Sequence, residues 1–206
     1  MKTTFYIAIF FFVFQLQAQK VIEKEIDLQN ISSVVINGNQ IFKIRINANT
    51  TKTILVQAKF EGEYNEDIVL LTEKVDSKLT ISTEFQPLFV PHNDKLSAHK
   101  VISIELSISL PEYLNVWIQS DIASVLALGQ YNNLTIELVN GNCKVDSFSG
   151  NAIINTIHGA INVSSDDAKV VAHTKKGILK QDKLRSGKKT LNLNSINGNI
   201  TVTKTE

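Results

Sequence analysis

The sequence lacks several features that mark common protein classes. Only one of its 206 residues is cysteine, Cys143, so no disulfide can form within the chain and stability must come from the core and hydrogen bonds. An excess of one charge is also missing, because 21 Lys and Arg residues face 20 Asp and Glu residues. This balance does not favour binding to nucleic acid or bulk adsorption on an anionic membrane.

Catalytic motifs are absent as well. The sequence has no Gly-x-Ser-x-Gly elbow, no phosphate-binding glycine loop and no His-Glu-x-x-His motif. We therefore predict a protein that is not an enzyme, with no catalytic residues, no cofactor and no metal site. The alternative is a polysaccharide-acting enzyme of the pectin-lyase type, which places acids and cations along one exposed sheet but usually needs more rungs than this chain has.

Residues 1–18 have the charged, apolar and small-residue order of a secretory signal peptide. Lys2 is followed by an apolar run at 5–14, which is much shorter than the roughly 20 residues of a membrane-spanning helix. We predict cleavage after Ala18, export to the periplasm, the outer-membrane surface or the medium, and no transmembrane segment in the mature chain. No cysteine lies near Ala18 to accept a lipid anchor.

From Ile31 onward, short runs of Val, Ile, Leu and Thr alternate with polar residues and are separated by Asn, Gly, Asp or Ser. This alternation predicts strands with one buried face, and no amphipathic helix of convincing length is present. The stretch from Phe85 to Lys100 breaks the pattern with two prolines and is predicted to be an exposed loop. Clear strand segments are 41–46, 53–58, 79–82 and 101–108.

Four glycines of the C-terminal half, Gly141, Gly159, Gly177 and Gly198, are 18, 18 and 21 residues apart. A fixed period near 20 predicts a β-solenoid, in which short rungs stack with like residues above like. We expect these glycines to form the rung corners with a positive φ, which costs glycine little. A degenerate first rung is expected around Ser120, 21 residues before Gly141.

Alignment on these glycines produces five columns, at positions −7, −5, −2, +2 and +4, in which only Lys175 and Gln181 are not apolar. We predict that the columns stack into a continuous core, where Cys143 acts as a small apolar side chain rather than a reactive thiol. In order, the columns are Leu134, Ala152, Val170 and Leu191; Ile136, Ile154, Ala172 and Leu193; Val139, Ile157, Lys175 and Ile196; Cys143, Ile161, Leu179 and Ile200; and Val145, Val163, Gln181 and Val202.

The segments 139–145, 157–163 and 196–202 resemble the repeat of the bacterial autotransporter adhesin head (GIN) domains and related adhesin-like β-repeat domains of unknown function. The resemblance continues upstream, where 76–81 and the strand end at 108–111 are similar to the family's leading strands, so that it covers roughly residues 31–203. It implies a bacterial all-β protein and, through the family name, adhesion.

The predicted architecture is all-β, with antiparallel strands over 19–118 and a short β-solenoid of 18–21-residue rungs over 119–206, or one continuous domain over 19–206. Repetition without a convergent polar cluster favours a structural or adhesin-like binding role at the cell envelope or surface. The alternative is a carbohydrate-active or polysaccharide-binding solenoid. Expected partners are an envelope or surface protein or a polysaccharide, and the uncapped end after Val202 favours end-to-end association.

Positive charge is concentrated between residues 175 and 189, where seven cations accompany one acid. Such a surface can hold an anionic polysaccharide or lipid phosphates. We favour a solvated loop between rungs instead, because no aromatic residue is interleaved with the cations. The candidate polyanion contacts are Lys175, Lys176, Lys180, Lys183, Arg185, Lys188 and Lys189.

The histidines are weaker candidates. His92, Asp94 and His99 are potential metal ligands, but their spacing matches no established pattern and a solvated polar loop accounts for them. His158 directly precedes a corner glycine, in line with polar residues of the other repeats, and is predicted to lie on the surface.

Overall fold

The computed structural model describes residues 19–90 and 102–205. These residues form an all-β fold of fifteen strands with one short 3-10 helix at Asn65–Asp67, which confirms the predicted class. The predicted signal peptide and the residues His92, Asp94 and His99 lie outside the described residues. The strands are β1 (Lys20–Asp27), β2 (Ser33–Asn37), β3 (Lys43–Asn49), β4 (Thr53–Gly62), β5 (Ile68–Val75), β6 (Lys78–Phe85), β7 (Ile102–Pro111), β8 (Asn115–Ser120), β9 (Ser124–Asn140), β10 (Cys143–His158), β11 (Ile161–Ser165), β12 (Asp167–Thr174), β13 (Leu179–Gln181), β14 (Arg185–Ser195) and β15 (Ile200–Thr203).

All fifteen strands belong to one sheet that branches into two ladders. The first ladder has the order β1, β4, β7, β3, β9, β10, β11, β15, β13, and the second has the order β5, β6, β2, β8, β9, β10, β14, β12. The long strands β9 and β10 pair in the first ladder with their early residues and in the second with their later ones. The change of ladder coincides with Gly129 and Gly150, whose φ values of +97° and +149° are ones that other residues rarely adopt.

Alternate residues of both ladders contribute to one continuous cluster of buried apolar side chains, from Ile31 to Val202. Four of the predicted columns, at −7, −5, +2 and +4 from the corner glycines, lie in register across parallel strands. Cys143 is completely buried in its column, as predicted. The spacing of the glycines therefore predicted the strand register correctly.

The corner glycines are required mainly by close backbone contact, and not by the positive φ that we expected. Of the four, only Gly141 has a positive φ, at +133°. A Cβ at Gly159 would lie 1.9 Å from the carbonyl oxygen of Gly141, and one at Gly198 would lie 1.8 Å from that of Gly159. A Cβ at Gly177 would lie 2.0 Å from the carbonyl oxygen of Gly198. The corners at these glycines leave no room for a side chain.

The repeats do not stack in chain order. Strand β15 lies between β11 and β13, and β14 lies between β10 and β12, so the last repeat of the sequence is inserted between two earlier ones. The stack ends with β12 and β13, which belong to the Gly177 repeat. The prediction that the stack has its uncapped end after Val202 is therefore wrong, because β15 has a neighbouring strand on both sides.

The expectation of an antiparallel N-terminal region is correct for only some of its pairings. Strands β1 and β4, β4 and β7, and β5 and β6 are antiparallel. Strand β2, however, pairs in parallel with β6 and β8, and β3 pairs in parallel with β7 and β9. Half-buried strands show the same alternation in both arrangements, so the pattern alone does not determine strand direction.

Segment 33–49 consequently forms a strand, a corner and a strand that continue the C-terminal columns. Val34 is in register with Val116, and Ile44 is in register with Val125. The degenerate repeat near Ser120 exists, but its register differs from the predicted one, since Val125 pairs with Cys143 at an offset of 18 residues. Ala123 takes the corner position there.

Candidate functional site

A column of polar side chains crosses the outer face of the second ladder. Register pairs join one residue from each of five neighbouring strands, and all five are exposed or half-buried. Two of the amides bond each other, since Asn194 Nδ2 donates to Asn155 Oδ1 at 3.0 Å. The polar column, in spatial order, is Gln119, Glu137, Asn155, Asn194 and His173.

A second, apolar column runs parallel to the polar column on the same face. Val139 is half-buried, while Ile157 and Ile196 are 39% and 43% exposed, and Lys175 ends the column. This is the −2 column that we assigned to the core, and that assignment is wrong. Side chains of a strand alternate between its two faces. Because positions −7 and −5 point into the core, position −3 also points inward and position −2 points outward.

The buried −3 column lies between these two outer columns and is rich in hydroxyl groups that organise the corners. Thr156 Oγ1 donates to the Gly159 carbonyl oxygen at 2.9 Å, and Ser195 Oγ accepts from Gly198 N at 2.8 Å. Ser120 Oγ accepts from Ala123 N at 2.9 Å in the repeat without a glycine. A serine or threonine three residues before the corner was a sequence signal that the alignment missed.

The polar and apolar columns enclose a groove of about 670 Å³. Its floor is the −3 column, its walls are the two outer columns, and Asn39 and Asp121 lie towards the end near β8. Five strands at about 4.8 Å spacing give the groove a length of roughly 19 Å. An extended chain molecule fits such a shape better than a compact ligand does.

The only tryptophan of the sequence lies beside the groove. Trp117 is two residues before Gln119 on the same face of β8, is 42% exposed, and its Nε1 donates to Glu137 Oε2 at 3.2 Å. This bond orients the Glu137 carboxylate along the polar wall and leaves a flat aromatic surface open to solvent. The groove therefore combines amide donors and acceptors, a carboxylate and apolar surface.

The seven candidate polyanion contacts lie around β13 and the start of β14 rather than along the groove. Lys175 alone lines the groove, at its end next to β12. Six of the seven are exposed and Lys189 is half-buried. Among the described residues, no carboxylate forms an ion pair with any of them. The structure thus places these cations together at one end of the stack.

The remaining candidates form no reactive centre. Burial raises the pKa of the Cys143 thiol to about 12, so the thiol is neutral and inaccessible. His158 is exposed, as predicted, and its Nδ1 lies 2.9 Å from Asn197 Nδ2. Over the described ranges, no three His, Cys, Asp or Glu side chains come together in a way that would hold a metal ion.

Comparisons with known proteins show similarity in fold. No protein-family model matches the chain, and no curated protein sequence matches it. A protein from Clostridium sporogenes ATCC 15579, described as a candidate cell adhesion protein, has a TM-score of 0.63 and 17% identity over 91% of this chain and 100% of its own. A candidate adhesin from Bacteroides fragilis NCTC 9343 has a TM-score of 0.40 and 11% identity over 91% and 98%. This chain shares the fold of the Clostridium protein.

No helix within residues 19–90 and 102–205 has the length and apolar character needed to cross a membrane.

Proposed function

We propose that this protein is an exported, non-catalytic binding module of the bacterial cell envelope or surface, with an adhesin-like role, and that the groove is its contact surface. The observation that supports this most strongly is the repetition of one polar and one apolar position across five strands, which suits an extended partner. The shared fold with a candidate cell adhesion protein agrees with this role.

The same proposal includes the finer architecture. Residues 19–206 would form one continuous domain whose parallel repeats are a short β-solenoid of the GIN-like type. One buried cluster extends from Ile31 to Val202, and parallel registers join β2 and β3 to the C-terminal repeats, which supports a single unit. Cleavage after Ala18 would leave β1 intact, since it begins at Lys20.

For the ligand, an extended polysaccharide is favoured by the chemistry of the groove. Sugar rings have hydroxyl groups on their rims and apolar faces, and the two walls provide amides on one side and isoleucines on the other. Trp117 adds an aromatic surface with its ring nitrogen already bonded to Glu137. The carbohydrate-active alternative requires catalysis by Asp121 and Glu137, the two carboxylates at the groove.

Binding of the chain from Gln19 to envelope fractions and to a glycan array tests the proposal. Changing both Asn155 and Asn194 to alanine should weaken binding about tenfold or more, because each lost amide bond is worth about 1 kcal/mol. Asn162, exposed on β11 of the first ladder, provides the matched control variant Asn162→Ala. Equal binding by all three proteins would eliminate the groove as the contact surface.

Two further variants separate binding from catalysis. We expect the intact protein to release no sugar fragments from a polysaccharide. The variants Asp121→Asn and Glu137→Gln should then behave in the same way. Fragments released by the intact protein and lost in these variants would establish the enzymatic alternative.

Changing Lys175, Lys176, Lys180, Lys183, Lys188 and Lys189 to glutamine tests the polyanion surface, because a real site would lose salt-sensitive binding.

A further inference from the structure

The two ends of the sheet are built differently. Among the described residues, β1 and β5 at one end each have a single neighbouring strand, and so do β13 and β12 at the other end. Each ladder therefore begins and finishes with a strand that has one unpaired edge. Such edges present free backbone N–H and C=O groups that can pair with another chain.

The β1 and β5 end is closed by lysine side chains. Lys20 and Lys24 point inward from β1, and their Nζ atoms donate to the carbonyl oxygens of Ile68 and Leu70 at 3.2 and 2.7 Å. Their methylene stems cover the apolar interior while their charges are satisfied by the neighbouring ladder. Ile22 and Ile26 on the same face are partly buried against the core, so lysine stems and isoleucines together cover this end.

The β12 and β13 end has no such closure in the described part of the chain. Leu179 belongs to the column of Cys143, Ile161 and Ile200, which are completely buried, yet Leu179 is 44% exposed. On β12, Val170 of the −7 column and Ala172 of the −5 column are only partly buried. The apolar core therefore continues to this end and stops in solvent, where a terminal repeat would normally be capped.

The exposed charges at the two ends differ in sign. The outward face of β1 has three exposed acids, Glu23, Glu25 and Asp27, while both of its lysines point inward. The opposite end has seven cations and one acid between residues 175 and 189, and Asp166, Asp167 and Lys169 at β12 leave its net charge positive. Two copies placed with like ends together would repel each other, whereas unlike ends would attract.

Exposed apolar residues lie at both ends. Val171 on β12 and Ile178 before β13 are 51% and 61% exposed. At the other end, Val21 on β1, with Leu71 and Val75 on β5, are exposed as well. A contact between unlike ends would remove both sets from water and would pair the β13 edge with the β1 edge. On β5, the carbonyl oxygens of Ile68 and Leu70 already accept hydrogen bonds from Lys20 and Lys24.

We propose that copies of this chain associate head to tail, with the β12 and β13 end of one copy seated on the β1 and β5 end of the next. The lysine-closed end of the second copy covers the open core of the first, and β1 acids face the cations around β13. Because the two surfaces differ, the contact is heterologous and each added copy leaves a further end available, so the product is an open series or a ring of more than two copies. This inference does not depend on the groove or its ligand.

Sedimentation velocity of the chain from Gln19, without any glycan, tests the proposal. The average mass should rise beyond twice that of the monomer as concentration increases at about 0.05 M NaCl, and should fall at about 1 M NaCl because screening weakens the attraction between ends. A chain that stays monomeric at every concentration in low salt would overturn the proposal, whatever the groove binds.

Charge reversal distinguishes the unlike-end contact from contacts between like ends. The variant Lys180→Glu with Lys183→Glu lowers the charge of segment 175–189 from +6 to +2 and places two acids opposite the β1 acids in the proposed contact. Glu25→Lys with Asp27→Lys places two lysines on β1 opposite the cations around β13. Each variant should remain monomeric alone, while a mixture of the two should regain a mass of at least two chains.

Two controls complete the test. All four positions are exposed, so circular dichroism and the melting temperature of the variants should match the parent. Lys144→Glu, on β10 in the middle of the stack, should leave assembly unchanged. If only the Lys180 and Lys183 variant lost assembly, the contact would join like ends and the head-to-tail arrangement would be wrong.

Discussion

Gly198 rests directly on Gly159: a Cβ at Gly198 would lie 1.8 Å from the carbonyl oxygen of Gly159 and 2.4 Å from its carbonyl carbon. These glycines are 39 residues apart in the sequence, and the Gly177 repeat lies between them in the chain but not in space. The contact holds the last repeat next to the Gly159 repeat and explains why these two corners tolerate no side chain. It also locates the open end at β12 and β13.

Gly198→Ala should destabilise the protein by about 3 kcal/mol, because the added methyl group meets backbone atoms that cannot rotate away. Urea denaturation measures the change as a lower midpoint with an unchanged slope. Ser186→Ala, at an exposed position of β14, is the control and should change stability by less than about 0.5 kcal/mol. Equal stability of the two variants would contradict the close packing of the corners.

Ser195→Ala should cost about 1 to 3 kcal/mol, because it leaves Gly198 N and the buried Thr156 hydroxyl each without one hydrogen-bond partner. Thr201→Ala, at a half-buried position of β15, should cost less. Thermal melting of both variants gives the comparison. A larger loss for Thr201→Ala would show that the corner hydroxyls do not stabilise the turns.

Ile154→Asn and Ile157→Asn make a matched pair that tests the assignment of inner and outer columns. Ile154 is completely buried, so a buried amide there should prevent stable folding or cost several kcal/mol. Ile157 is 39% exposed, so the same change should cost about 1 kcal/mol or less. Similar losses of stability at both positions would show that the −2 column belongs to the core after all.

Cys143 should make stability depend on alkaline pH. Burial raises the pKa of its thiol to about 12, above the unfolded value of about 8.5, so the neutral thiol stabilises the fold fully below about pH 8.5. That contribution is lost as pH rises from there towards 12, by about 2 kcal/mol at pH 10. Denaturation as a function of pH measures it.

Cys143→Val is the control for this pH dependence, because burial also raises the pKa of Tyr131 and both proteins retain that tyrosine. The valine variant should lose less stability between pH 8 and pH 10 than the parent. In addition, iodoacetamide should label the parent only after unfolding, since thiolate and access are both lacking in the folded chain. Rapid labelling under native conditions would show that Cys143 is not in the core.

Local pattern was sufficient for the strand class and for most of the strand register. Alternation of apolar and polar residues identifies half-buried strands, and glycines at a fixed period align Leu134, Ala152 and Leu191 as the structure does. The groove was harder to predict from the sequence. Its polar wall of Gln119, Asn155 and Asn194 comes from strands far apart in the chain, and its apolar wall was assigned to the wrong face.

The sequence by itself determined the all-β fold, the burial of Cys143 and the apolar columns, because each follows from side-chain alternation and period within neighbouring residues. Only the tertiary structure decided the parallel direction of β2 and β3 and the insertion of β14 and β15 beside β10 and β11. Offsets of 18, 21 and 39 residues bring the same apolar columns into register, so local pattern gives no preference among stacking orders. Long-range contacts such as that of Gly198 with Gly159 select one of them.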